Sequence, residues 1–367
     1  MDPTAGGWTA IEAALEHAAW FGHPADGIAV LPILDPTTPA TPTTAVAERG
    51  GGPARVDQDG GLPERRWPAG VDPTDPAAAV PERVRWLAGV CLGAVGRYRT
   101  AAGWLAPGGE PPGSLAASCL ASHLRQVCRH AEAEPIDRLA LATAATVEAR
   151  ADALIGLVAD AVGRQELALA RDRLEFATGQ IVAVTSDHAE WRARVRLEWV
   201  GAETALLAGA AARAVEIGRS AQRISHKAML YRHTVKSTLV LGVALDAADR
   251  TRAAARVLRT ASRGATQLGL TPLLSPIHSV LAGTLRDRAP LVAARERLRA
   301  DAAQSSREDP AESQSFSWAP GRTARSSEAR DDEAVPAKLS PTSPGRSTVT
   351  RAFHITGGDA RTSCDLR

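Results

Sequence analysis

The chain has 367 residues, of which 44% are hydrophobic, 23% charged and only 4% aromatic, with a formal net charge of +2. An apolar share made largely of Ala, Leu and Val, with few strand-favouring residues, points to an all-α protein. The near-balanced charge removes any global electrostatic case for nucleic acid or a membrane surface, so such a case has to come from local clustering.

Cys91, Cys119, Cys128 and Cys364 follow no repeated spacing. The first residues carry no signal-peptide pattern, and no run of about 18 apolar residues exists to span a bilayer. The expectation is a cytoplasmic, reduced protein without a disulfide framework or a membrane contact.

Residues 8–21, WTAIEAALEHAAWF, place Ile11, Leu15 and Ala18 on one helical face and Glu12 and Glu16 on the other. Gly22 and Pro24 supply a stop signal. So short a helix is marginal alone in water, and residues 1–23 are expected to form an isolated amphipathic helix that must dock on something to persist. Residues 24–80 are rich in Pro and Gly, which removes donors and costs entropy, and they read as a linker. Within them Asp57-Gln58-Asp59-Gly60 starts like a calcium loop but lacks the third ligand and the distal Glu.

Residues 81–300 read as the helical domain. Pro81 is a plausible first-turn proline, and Ser114 stands where a cap would open a helix through His130. Pro135 closes the turn after it, and a single long helix is expected from Ile136 to Ala161. Gln165 to Phe176 would return as its antiparallel partner. Asp187 and Glu190 form a capping-box-like start for a helix through Trp191, Val195 and Leu206. Trp191 and Trp199, eight apart, read as packing anchors. Ser275 is expected to cap a last helix whose first residue is Pro276. After about Leu298 the periodicity fails, and residues 301–367, rich in Ser, Pro, Arg and acids, read as a disordered tail.

Shifting the chain by about 40 residues superposes Arg219-Ser220-Ala221 on Arg259-Thr260-Ala261, as a helix-pair repeat would. The small-residue and leucine alternation in ALLAGAAARAV and TLVLGVALDAADRTRAAARVLRTA resembles the tetratricopeptide-repeat-like α-solenoids, in particular divergent, alanine-rich ones of high-GC bacteria. The resemblance covers about residues 136–287, although the Trp-Leu-Gly-Tyr signature is not present in order and the period is nearer 40 than 34. It implies a concave surface for a peptide or protein partner and no catalysis. The fold expected is all-α, built of helix-pair repeats as a tetratricopeptide-like α-solenoid or an irregular helical bundle, with a long disordered linker and tail.

Charge is the sharpest local feature. Between residues 213 and 263, eleven basic residues stand against three acidic ones, a local net of +8. Arg252, Arg256, Arg259 and Arg263 are spaced 4, 3, 4 and fall within about 60° of one another on a helix. With Lys227, Arg232 and Lys236 they form the candidate anion-binding surface, since guanidinium groups hold carboxylates and phosphates bidentately. The competing reading is the solvated face of an amphipathic helix. Nucleic acid is a possible partner, but only Tyr231 interleaves and no helix-turn-helix is evident.

No metal or cofactor is expected. Of Cys119, His123, Cys128 and His130, only the first two are close enough on one helix to share an ion, and zinc needs two more ligands. The sequence carries no G-x-S-x-G, P-loop or H-E-x-x-H, so no enzyme is expected.

Overall fold

Helix and turn alternate with a fixed step along the second half of the chain. In the computed structural model, which describes residues 3–31, 80–107, 111–182 and 191–285, α10 (Ala211–Lys227), α11 (Tyr231–Ala247) and α12 (Thr251–Gln267) are each 17 residues long. Gly209, Met229, Asp249 and Gly269, one in each of the four turns before, between and after these helices, all have positive φ and stand 20 residues apart. A helix pair therefore recurs every 40 residues. Each turn closes in the same way. The Leu230 N–H donates to the Ser225 carbonyl and the Met229 N–H to that of His226, both at 3.0 Å. These paired bonds satisfy the last carbonyls of a helix around one left-handed residue. Gly96, Cys128 and Gln165 close three earlier turns identically.

The earlier helices among the described residues are α1 (Pro3–Trp20), α2 (Pro24–Ala29), α3 (Glu82–Ala94), α4 (Tyr98–Leu105), α5 (Ser114–Gln126), α6 (His130–Ala142), α7 (Val147–Gly163), α8 (Leu167–Val182) and α9 (Trp191–Leu207). The last is α13 (Thr271–Leu285). From α3 onward, each even-numbered helix packs between its two odd-numbered neighbours. The odd helices also pack in series, α1 on α3 and so on to α11 on α13, and α1 touches α11. The result is an α-solenoid of two layers whose inner, odd-numbered layer turns far enough to bring its first helix onto its sixth.

Small residues set the spacing between layers. Ala214, Ala221, Ala254, Ala261 and Ala265 are buried on the outer helices, so backbones approach closely. A side chain on Gly218 would stand 3.1 Å from the Cα of Leu241. Leu239 and Leu258 are fully buried between the layers, each contributing about 1.5–3 kcal/mol. Among the described residues no helix is long and apolar enough to cross a membrane.

Several boundaries differ from those expected. The first helix is not isolated: Trp8, Leu15, Ala18, Ala19 and Trp20 share a core with Val84, Trp86 and Leu87 of α3. Its apolar face found the docking partner it needed. Residues 24–29, expected as linker, form α2, and the buried Gly27 packs against Ala18 and Cys91. Ser114 opens α5 instead of capping it, and its hydroxyl donates to the Ala140 carbonyl at 2.7 Å. That helix stops at Gln126, because Cys128 turns left-handed. The long helix expected from Ile136 is two, since the Thr146 hydroxyl accepts from the Ala149 N–H at 3.1 Å and starts α7 afresh. Pro135 lies inside α6 rather than at a turn, and α13 opens at Thr271, so that Ser275 and Pro276, expected as its cap and first residue, lie inside it; each proline costs one backbone bond. The helix-pair pattern, expected over 136–287, already runs from α3. The cap at Asp187 and Glu190, residues 32–79 with Asp57-Gln58-Asp59-Gly60, and the tail lie outside the described residues.

Candidate functional site

Inside the turn of the solenoid lies a cavity of about 190 Å³. Its walls come from Trp20 of α1, Trp86 of α3, Ser118 and Cys119 of α5, Asp152 and Gly156 of α7, Arg192 and Glu203 of α9, Lys236 of α11 and Leu273 of α13, among others. All seven odd-numbered helices contribute and no even-numbered one does. The cavity is thus a product of the repeat itself, and α1 completes its wall.

Five cations line it, in different states of pairing. Arg192 and Arg196 both clasp Asp152, and Arg192 also reaches Glu148 at 3.1 Å. Arg125 is held beneath the cavity between Asp137 and Asp160, the latter at 3.2 Å. Arg232 and Lys236 differ. Among the described residues neither has a carboxylate partner; Arg232 donates only to the Val90 carbonyl at 3.4 Å. Arg232 lies over the Trp20 ring at 5.6 Å and Lys236 over Trp199 at 5.3 Å, where the ring quadrupoles supply part of the missing counter-charge. Burial lowers the Arg232 pKa to about 10, which leaves it cationic at neutral pH, and burial also lowers Lys236.

The polar groups between these cations are short of partners. Both carboxyl oxygens of Glu203, the Ser118 hydroxyl, and Nδ1 of His123 and of His233 are buried without a hydrogen bond. An unmet buried polar group costs about 1–3 kcal/mol, so five such atoms around one cavity call for a common cause. Burial raises the Glu203 pKa against the opposing charges of Lys236 and Arg125. Burial, then the charges of Arg232, Arg192, Arg196 and Lys236, drives His233 well below its ordinary value. His233 stacks on Trp199 with centroids 5.4 Å apart and meets Trp191 edge-on at 5.0 Å.

Cys119 and His123 also face the cavity, with Sγ and Nε2 3.6 Å apart. Burial pushes the thiol up to about 12, and burial with the Arg232 and Arg125 charges takes the imidazole down to about 3. Both shifts oppose a thiolate–imidazolium pair, so the geometry of a nucleophilic dyad comes without its electrostatics. No group of three or more metal-ligating side chains gathers among the described residues.

The seven residues singled out in the sequence divide between two surfaces. Arg232 and Lys236 line the cavity. Arg252, Arg256, Arg259 and Arg263 are exposed on the outer face of α12, and Lys227 is exposed at the end of α10. Sequence reasoning missed Arg192, Arg196, Trp199 and Glu203 as a set. They repeat the 4, 3, 4 spacing of the α12 stripe on α9, where all four line the cavity. The signal was there, with an aromatic and an acid interleaved; the layer each helix occupies was not.

No protein-family model and no curated protein matches the sequence. Among solved structures, the chain is similar to a Rap protein crystallised in complex with competence and sporulation factor. The two are 12% identical, the match covers 62% of this chain and 67% of the Rap chain, and the TM-score is 0.45. The helices described above make this chain an all-α helical-repeat protein.

Proposed function

We propose that this is a non-catalytic binding protein that takes a protein or peptide partner, with one residue of the partner anchored in the central cavity. The observation that carries the reading is the set of unmet groups around that cavity: two cations without carboxylates and five orphaned polar atoms. A bound group would satisfy atoms that the fold leaves unsatisfied. The silent Cys119–His123 pair argues against chemistry there.

Panning a random peptide library against the full chain tests this. Ser122→Trp, which fills the cavity from a half-buried position, serves as the control. Peptides should enrich on the wild type and not on the variant, with both proteins melting alike. Equal enrichment on the two would sink the proposal.

The outer face of α10 and α12 favours a second reading, contact with nucleic acid or another polyanion. Arg252, Arg256, Arg259 and Arg263 are exposed and α12 contains no acid. Arg252→Glu, Arg256→Glu and Arg259→Glu together should weaken retention on duplex DNA at low salt, because lost phosphate contacts weaken binding and its salt dependence. Unchanged retention removes the idea.

A further inference from the structure

We propose that the anchoring group is a single carboxylate carried on a flat apolar body, received by Arg232 and Lys236 and flanked by Trp20, Trp86 and Trp199. This rests on the cavity being the site where a ligand is anchored, and it specifies the chemistry of what enters.

Size comes first. About 190 Å³ is below the ~300–1,000 Å³ of sites that enclose a drug-sized ligand, so the cavity holds one residue-sized group. Charge comes second. Of the five cations, Arg125 is already engaged by Asp137 and Asp160, and Arg192 and Arg196 by Asp152 and Glu148. Arg232 and Lys236 remain, four residues apart and so on one face of α11, and both line the cavity.

Glu203 decides between anions. It lies in the wall with both oxygens unpartnered, and burial favours its neutral form. When protonated, this carboxyl offers one O–H donor, as the Ser118 hydroxyl does, and each can meet an oxygen of an incoming carboxylate. A phosphate dianion would bring a second negative charge against the same carboxyl, with no third cation free of a carboxylate among the described residues that line the cavity. The walls set the rest of the ligand. Trp199 is half-buried at the cavity, and Trp20 and Trp86, 4% and 1% exposed, back the wall behind Arg192 and Arg232; an aromatic wall of this kind favours a planar apolar body next to the anion.

The full chain would be titrated calorimetrically with phenylacetate and with phenylacetamide, its neutral isostere. Two peptide arms identify the source of the carboxylate. One is a short peptide ending in Phe with a free carboxylate, and the other is an amidated peptide with Glu beside an internal Phe. Phenylacetate should bind one to one and at least about tenfold more tightly than the amide. Arg232→Gln and Lys236→Gln should each weaken it about ten- to a hundredfold, since each removes a charge-assisted contact. Arg256→Gln on the outer face should leave it unchanged, and Arg232→Lys, which keeps the charge, should retain most of it. Equal binding of acid and amide, no effect of either cavity substitution in a folded variant, or no saturable binding of any acid probe overturns the inference. Enriched peptides from the panning experiment that lack any acid, yet are still lost on Ser122→Trp, would overturn it while leaving the cavity as the binding site.

Discussion

Oδ2 of Asp137 lies where a Cβ on Gly156 would have to stand, well inside van der Waals contact. The carboxylate is not free to move away, because Arg125 grips it from the other side and all three groups are buried. Gly156 is in the middle of α7, where alanine is ordinarily better by about 1 kcal/mol. Here the sign reverses. Gly156→Ala should destabilise the protein by about 1–3 kcal/mol through overpacking. Gly179, exposed on α8 with nothing within 4 Å of its would-be Cβ, is the control. Gly179→Ala should stabilise by about 0.5–1 kcal/mol. Urea denaturation of the two variants reads both signs, and a stabilised Gly156→Ala would mean that the Asp137–Arg125 pair is not fixed against α7.

The turn residues give an opposite test. Gln165 and Met229 hold positive φ without being glycine and are exposed. A left-handed conformation costs an ordinary residue about 1–2 kcal/mol, while glycine pays in unfolded-chain entropy. Gln165→Gly and Met229→Gly should therefore each stabilise by roughly 0.5–1 kcal/mol, measured as raised denaturation midpoints with unchanged slope. Gly209→Ala and Gly269→Ala, at equivalent turns, should each destabilise by a similar amount.

These turns also show how far the sequence was legible. The repeat of about 40 residues is visible because α10, α11 and α12 share one length and one turn. Alanine-rich composition and the missing strand formers give the helical class. The site is a different matter. Period and spacing identify a helical face, but α9 and α12 carry polar residues at the same 4, 3, 4 steps, one facing the cavity and the other facing solvent. Which layer a helix joins depends on contacts with helices 20 to 200 residues away. Trp20 is the extreme case: it closes the cavity from α1 by packing on Trp86 and His233, with centroids 5.9 and 5.7 Å away. Local pattern contains no trace of that meeting.

The cysteines report on the absence of activation. Burial raises both Cys91 and Cys119 to about 12, so at pH 8 the native protein holds each as a thiol. Iodoacetamide reacts with the thiolate. Neither residue should be alkylated in the folded protein at a rate above that of global unfolding, and both should react at once in urea. Mapping the modified peptides by mass decides it. Rapid native labelling of Cys119 would mean that His123 does activate it, and the case against catalysis in the cavity would fall with it.

His233 sets a pH dependence whose sign follows from its burial. It is 1% exposed, enclosed by Trp20, Trp191 and Trp199, and faced by Arg192, Arg196, Arg232 and Lys236. Burial first, and those charges after it, hold the folded imidazole neutral, whereas in the unfolded chain it titrates near 6.5. A depressed folded pKa means stability that is present above about pH 6.5 and is lost as pH falls below it, by up to about 1.4 kcal/mol per unit. His123 acts in the same direction. Glu203, Asp137 and Asp160 are raised by burial and act in the opposite one: the fold keeps their protons after the unfolded chain has lost them, so their contribution declines as pH rises. The wild-type profile is a balance of the two, and the difference from a variant isolates one side. His233→Phe keeps the stack on Trp199 and removes the titration. Between about pH 6 and 5 the stability of the wild type should fall relative to that of His233→Phe by on the order of 1 kcal/mol per unit. A pH-independent difference in urea midpoints would show that His233 takes up its proton without leaving the fold.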